Sequence, residues 1–334
     1  MKIFITGIAG FLGGHIAENL ISAGHEVSGC DNLIGGYIDN VPEDAEFFQV
    51  DAIYLNQMKK LTKDVDLVIH TACTAYEGLS VFSPYLVGQN TYQISMSIFT
   101  AVAENKIPKI INFSSMARYG TQDTVPFTED MVPQPQDPYG VAKYASEETL
   151  KILSEVHNFE YVNLVPHNII GPKQKFDDPY RNVVSIMINR ILNNQPPIIY
   201  GDGQQKRCFS DINDVVNPLI NSMTNKNAVG QTINVGPDED VITIEELAKK
   251  VLKVLNSNLE PIYVEPRPKE VEFAHCSADK SRELLDYKTT VPLDQSIENI
   301  ANWIISVGPK KFRYHLDIEI VNEATPKTWK EKLF

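Results

Sequence analysis

Cysteine is scarce: Cys30, Cys73, Cys208 and Cys276 are all that 334 residues contain, and no two have the C-x-x-C spacing of a zinc site or redox pair. The seven histidines lack H-E-x-x-H or any other ligand spacing, so no metal is expected. Also missing is any apolar run of membrane-spanning length. There is no cationic surplus, since the formal charge is −13 without a block of like charges. That disfavours a nucleic acid or an anionic membrane as partner. Unpaired, scattered cysteines fit a reducing, cytoplasmic compartment. The opening "MKIFITGIAGFLGG" is short and apolar behind one lysine, as a signal peptide would be. Its glycines, and the lack of a small-residue cleavage site, predict a buried strand and a tight turn instead.

What is present suffices for one large domain or two intimate ones: 43% of residues are hydrophobic and 22% charged. Six β-rich runs, at 2–6, 25–31, 46–51, 66–72, 109–115 and 161–166, alternate with amphipathic stretches such as 15–24 and 95–106. Near-continuous apolar strands alternating with helices predict a Rossmann-type, doubly wound α/β parallel sheet. Beyond residue 166 the pattern changes, with helical periodicity at 182–194 and 243–256 between loops rich in Pro and Gly. The expected division is a Rossmann domain at 1–166, completed by parts of 208–240, and a smaller mixed α/β substrate region at 167–334. The tail 312–334 is expected to pack on the body or on a partner subunit.

"TGIAGFLG" sets Gly7, Gly10 and Gly13 between the first strand and a helix. Such glycines allow a tight turn and close approach of a pyrophosphate, whose charge the helix N-terminus favours. Asp31 follows at the end of the second strand, eighteen residues past Gly13. A carboxylate there binds the adenosine ribose hydroxyls and repels a 2′-phosphate, and no Arg or Lys follows in "DNLIGGYIDN", so NAD is expected over NADP. Asp51 is either an adenine contact or a strand-end turn residue.

"DPYGVAK" places Tyr139 and Lys143 at i, i+4, on one helix face. A free phenol ionises near pH ~10, and a neighbouring ammonium favours its anion. Such a tyrosinate can take a proton from a substrate hydroxyl while hydride leaves the same carbon. Alone the pair is ordinary helix surface. Ser115, however, ends the fifth strand, at the sheet edge where open α/β folds bind ligands, and can hold the same substrate oxygen.

Together these motifs resemble the extended short-chain dehydrogenase/reductase family, specifically its nucleotide-sugar epimerases and dehydratases. "TGIAGFLG" is similar to the family's TGxxGxxG loop and "DPYGVAK" to its YxxxK. "FSSMARYG" resembles its Ser/Thr strand end, and "HNIIGP", "GDGQQKRCFSDINDVV" and "PRPKEV" its FNxYGP, GDGxQxRDFxxVxD and RPGD segments. The resemblance implies Ser115, Tyr139 and Lys143 as catalytic residues. It implies that Asn168, Arg207 and Arg267 grip the diphosphate of a sugar nucleotide, a sensible use of guanidinium forks. It further implies cofactor contacts from Phe11, Leu12, Asn32, Ala52, Ala72 and Asn90, and substrate contacts from Asn182, Val183 and Tyr200. A homodimer is also implied, paired through helices near 89–106 and 139–157.

Among these relatives the strand-end segment discriminates reactions. Dehydratases resemble T-D-E-x-Y-G there, related decarboxylases keep a glutamate and 3,5-epimerases use a cysteine, whereas this chain has Met116 and Ala117, which move no protons. What remains is hydride removal and return, so the resemblance implies a 4-epimerase acting on a UDP-hexose. A ketoreductase or dehydrogenase of nucleotide sugars and a non-catalytic NAD sensor stay open. Tyr76 and Glu77 either meet the hexose or belong to a solvated loop. His167 either touches substrate or packs. Counting from either end of the "RPKEVEFAHCSAD" segment puts Cys276 or Ala274 beside C2 of the hexose, small enough to admit an N-acetyl group; Cys276 could equally be a buried small hydrophobe.

Overall fold

Lys2–Thr6 (β1), Glu26–Asp31 (β2), Glu46–Gln49 (β3), Leu67–His70 (β4), Lys109–Phe113 (β5) and Glu160–Pro166 (β6) are strands in the computed structural model of the chain, which describes residues 1–334. A seventh strand, Thr232–Val235 (β7), pairs with β6 and completes the sheet. The order is β3-β2-β1-β4-β5-β6-β7, every pair parallel. Order reverses between β1 and β4, so the crevice outside their carboxyl ends is the place for a ligand.

Alternation along β1 shows why the sheet is covered on both faces. Ile3 and Ile5 join Ile16, Leu20, Val215 and Leu219 on one side, while Phe4 joins Val68, Phe99, Val102 and Leu150 on the other. Each such burial contributes ~1.5–3 kcal/mol. The covering helices are Phe11–Ser22 (α1), Leu55–Leu61 (α2), Ile94–Glu104 (α3) and Pro138–His157 (α4). Further along come Val183–Leu192 (α5), Ile212–Thr224 (α6), Ile244–Val254 (α7) and Leu293–Val307 (α8). α1 and α6 lie on the Ile3 side, α2, α3 and α4 on the Phe4 side.

A separate apolar cluster joins α5, α7 and α8 through Val184, Ile188, Leu247, Val251, Ile297 and Ile300. α7 starts with a capping box, Thr243 accepting from the Glu246 N–H and Glu246 from the Thr243 N–H. The tail packs on the body: the Arg313 N–H donates to the Asp177 carbonyl (2.8 Å) and the Ile320 N–H to the Phe82 carbonyl (2.8 Å). No helix is long and apolar enough to cross a membrane.

Candidate active site

A cavity of about 470 Å³ opens at the carboxyl ends of the strands. On its cofactor side the glycine loop is shaped by hard contacts. Gly7 has φ +78°, and a Cβ there would lie 2.9 Å from the Ala72 nitrogen. A Cβ on Gly13 would lie 2.1 Å from the Gly7 carbonyl oxygen, so only glycine lets α1 start so close to the loop. No side chain caps the N-terminus of α1, which leaves its first N–H groups free for an anion. Asp31 accepts from the Ala9 N–H (3.1 Å) and the Leu33 N–H (2.7 Å). Burial pushes its carboxyl up, and those two N–H bonds pull it back. Asp51 accepts from the Ile53 N–H (2.9 Å) and from the Asn32 amide (2.9 Å), as a turn residue would, while also lining the cavity. Phe11, Leu12, Ala52, Ala72 and Asn90 line the same half. These residues fit a dinucleotide: a cradle closed to any side chain, free helix N–H groups and a ribose carboxylate.

At the centre, Tyr139 stands in the first turn of α4. Asp137 caps that helix, accepting from the Gly140 N–H (2.9 Å), with Pro138 in the first position. A Cβ on Gly140 would come 2.6 Å from the Ala117 carbonyl, so glycine lets α4 press against the 116–118 turn that follows Ser115. Ser115, whose hydroxyl accepts from the Ala117 N–H (3.2 Å), and Tyr139 line the cavity together. Ser114 and Arg118 (3.2 Å) both engage the buried Glu147 of α4, which fixes the strand end against the helix. Lys143 donates to the Phe113 carbonyl (2.7 Å), and its Nζ lies 6.0 Å from the centre of the Tyr139 ring.

Burial, then the neighbouring Cys73 thiol, push the Tyr139 hydroxyl well above the usual phenol range, and Ser115 only partly offsets them.

Opposite lies an arginine grip. Arg267 pairs with Glu270 through Nε (3.2 Å) and Nη2 (2.7 Å), and Arg207 lies 3.8 Å from the same carboxylate. Burial opposes the Glu270 charge, but the two guanidiniums outweigh it and hold its carboxyl below the ordinary range. Arg207 is further fixed on the Lys206 (2.8 Å) and Glu272 (3.3 Å) carbonyls. Tyr200 lies under Arg267, whose Cζ is 4.7 Å from the ring centre. Asn168 donates to the Cys208 carbonyl (2.9 Å), and Asn182, at φ +72°, leads into Val183 at the start of α5. All of these line the cavity.

Tyr76 and Glu77 line it too. Tyr76 is buried and donates to Asp178 (2.5 Å). Glu77 is exposed within the cavity, where the crowding of its walls and then Asp137 push its carboxyl up to about 7 against the pull of Arg207 and Arg267. His167 packs: it is fully buried and its Nε2 meets the Pro237 carbonyl at 2.7 Å.

Cys276 is corrected. It is fully buried with Tyr119, Phe127 and Val165, and neither it nor Ala274 lines the cavity. Phe273–Ala274 pairs with Lys206–Arg207, and Cys276 then bridges Phe127, which carries the segment inward and away from the sugar. Two cavity residues went unread. Cys73 follows β4 at the sheet edge that also drew attention to Ser115. Arg181, a lone cation before α5, donates to the Gly35 carbonyl (2.9 Å) and stacks 4.8 Å from the Tyr76 ring centre.

Comparison with known proteins places these features in context. Residues 3–236 match the NAD dependent epimerase/dehydratase family. A Methanocaldococcus jannaschii protein, provisionally a UDP-glucose 4-epimerase, is 33% identical over 90% of this chain and 98% of its own. The UDP-N-acetylglucosamine 4-epimerase of Methanobrevibacter ruminantium, solved with UDP-N-acetylmuramic acid, superposes with a TM-score of 0.85 at 30% identity, over 92% of this chain and 99% of that one. The UDP-glucose 4-epimerase of Thermotoga maritima, solved with UDP-glucose, gives 0.86 at 26% identity over 92% and 99%.

Proposed function

This chain belongs to the NAD dependent epimerase/dehydratase family, and from that premise we propose that it is a 4-epimerase of a UDP-hexose with resident NAD. The observation that carries this reading is one cavity holding Ser115 and Tyr139 between the glycine cradle and the Arg207–Arg267 grip, with Met116 and Ala117 where other chemistries keep a proton carrier.

Bound NAD would supply a hydride acceptor and donor. Ser115 and Tyr139 would meet the C4 hydroxyl of the hexose. The Lys143 ammonium, 6.0 Å from the Tyr139 ring centre, lowers the cost of ionising Tyr139, and the Tyr139 oxygen takes the hydroxyl proton. Arg207 and Arg267 release Glu270 in favour of the diphosphate and hold the nucleotide while the 4-keto hexose turns over. Tyr139 then returns the proton to the C4 oxygen, and because the cofactor would end as it began, no net redox change remains.

Residues 1–166 with parts of 208–240 would hold the cofactor, and 167–334 the nucleotide sugar. A homodimer is supported by the exposed apolar side chains Val141, Ile152 and Val156 on α4 and Tyr92 before α3. Four free thiols support a reducing cytoplasm. The test is a panel of UDP-Glc, UDP-Gal, UDP-GlcNAc and UDP-GalNAc incubated with purified protein and no added cofactor, with products resolved by proton NMR. Interconversion within either pair supports the reading. Silence across the panel, with turnover only when fresh NAD or a keto-sugar is supplied, would replace it with a net redox enzyme.

A further inference from the structure

Residues 309–334 follow α8 and pack on Phe82 and on 177–180, with Phe334 reaching the cavity. Thr328 Oγ1 lies 2.6 Å from the Tyr200 hydroxyl. Trp329, only 2% exposed, is wedged among Tyr76, Phe82 and Tyr180, and its indole N–H donates to the Pro179 carbonyl (3.1 Å). The Phe334 side forms part of the cavity wall. Arg190 holds this end in place, donating to the Leu333 carbonyl (3.2 Å) with its Cζ 5.5 Å from the Phe334 ring centre. The Phe334 N–H donates to the Tyr314 hydroxyl (3.0 Å). A Cβ added to Gly78 would lie 3.5 Å from Arg267 Nη1 and 3.6 Å from Trp329 Cη2, so Gly78 sits between the tail and the arginine grip.

From this placement we infer that the tail builds the nucleoside end of the substrate cavity, with Phe334 forming its wall directly and Thr328 positioning Tyr200. The inference rests on the sugar-nucleotide reading above. A sugar nucleotide is linear: hexose, diphosphate, nucleoside. Tyr139 fixes the hexose end and Arg207 with Arg267 the diphosphate, so the nucleoside must continue past the arginines. There the cavity is walled by Tyr200, Ile198, Met187 and Phe334. A planar base gains most from flat aromatic and apolar surface, and two of these four side chains are aromatic. Tyr200 is held by both neighbours, Arg267 over its ring and Thr328 at its hydroxyl. Phe334 is therefore a specificity residue, and Thr328 a positioning residue acting through Tyr200.

The test uses the full chain and UDP as probe. UDP affinity is measured by titration calorimetry for wild type, Phe334→Ala, Phe334→Leu and Thr328→Val, alongside the NAD content of each purified protein. Phe334→Ala should weaken UDP by about five- to tenfold, the worth of one aromatic contact. Phe334→Leu, which keeps apolar bulk but lacks the flat face, should lie between the two, and Thr328→Val should lose about two- to fivefold. NAD content and kcat at saturating UDP-hexose should stay within about twofold, whereas KM rises with the loss of affinity. UDP affinity within twofold of wild type in both Phe334 variants overturns the inference and leaves the epimerase reading intact. A parallel loss of NAD and UDP in Phe334→Leu and Thr328→Val also overturns it, since that marks a structural strap. Wild-type protein that binds no nucleoside diphosphate overturns both.

Discussion

Replacing Tyr139 by Phe removes one oxygen from a side chain only 6% exposed. Two consequences differ in size. The lost hydroxyl gives up at most about one hydrogen bond, worth about 1 kcal/mol net, and the ring still fills its place, so the thermal midpoint should move by no more than about 4 °C. Catalysis loses the group that moves the C4 proton. General acid–base catalysis is worth roughly 10²–10⁴-fold, or about 2.7–5.4 kcal/mol in the barrier, well above the structural cost. Turnover of the active UDP-hexose, followed by NMR, should therefore fall at least a hundredfold, while retained NAD and UDP affinity stay near wild type. Because burial holds Tyr139 neutral, the wild-type rate should also climb with pH through neutrality, and the residual rate of Y139F should not. A variant with wild-type rates refutes the proton-transfer assignment. A variant that has lost its NAD shows instead that the hydroxyl serves the cofactor site.

Other outcomes follow from the surrounding groups. Arg207→Ala should weaken UDP-glucose by roughly 10–100-fold, the range of a charge-assisted hydrogen bond, with NAD content unchanged; equal loss of both ligands, read by calorimetry and released-nucleotide assay, would point to a structural role. Glu77 ionises near 7 beside the arginine grip, so UDP-glucose, whose own charge is constant there, should bind more weakly as pH rises from 6 to 8; Glu77→Gln should flatten that trend, and an unchanged slope refutes it. Buried neutral His70 and His167 have their protonation pushed down to about 3 and about 4, mainly by burial. The unfolded chain then binds more protons than the folded one below pH ~6.5, so their stability is full above that pH and lost as it falls. Urea unfolding should show His167→Gln reducing the slope of stability between pH 6.5 and 5 by about 1 kcal/mol per unit; no change in slope would contradict it.

How far the sequence could be read depended on the range of the signal. Strands β1 to β6 were legible because their apolar runs lie between turn residues, and the cradle because glycines have few other reasons to recur there. β7 was not: "TINV" between Gln231 and Gly236 is too short for periodicity, and its pairing with β6 is long-range. Local spacing placed Tyr139 and Lys143 on one face but could not show that Lys143 turns to the Phe113 carbonyl, a partner thirty residues away. Cys276 was misread for a related reason. Counting along a segment with two extra residues ignores the pairing of Phe273–Ala274 with the 206–207 strand, which turns the chain inward. Arg181 carries no pattern at all, and its meaning comes from the Gly35 carbonyl and the Tyr76 ring it meets across the fold.

The carboxylate set between the two guanidiniums also bears on how a ligand arrives. Glu270 cancels one of the two positive charges of Arg207 and Arg267, and Glu77 lies close enough to offset part of the other. At a distance the cavity therefore offers a diphosphate little attraction, while the whole chain presents a net charge of −13. A net field of that sign should slow encounter rather than steer it, and adding salt, which shortens its reach, should speed association. On the proposed reading, selectivity for the anion is exerted at close range, when it displaces Glu270.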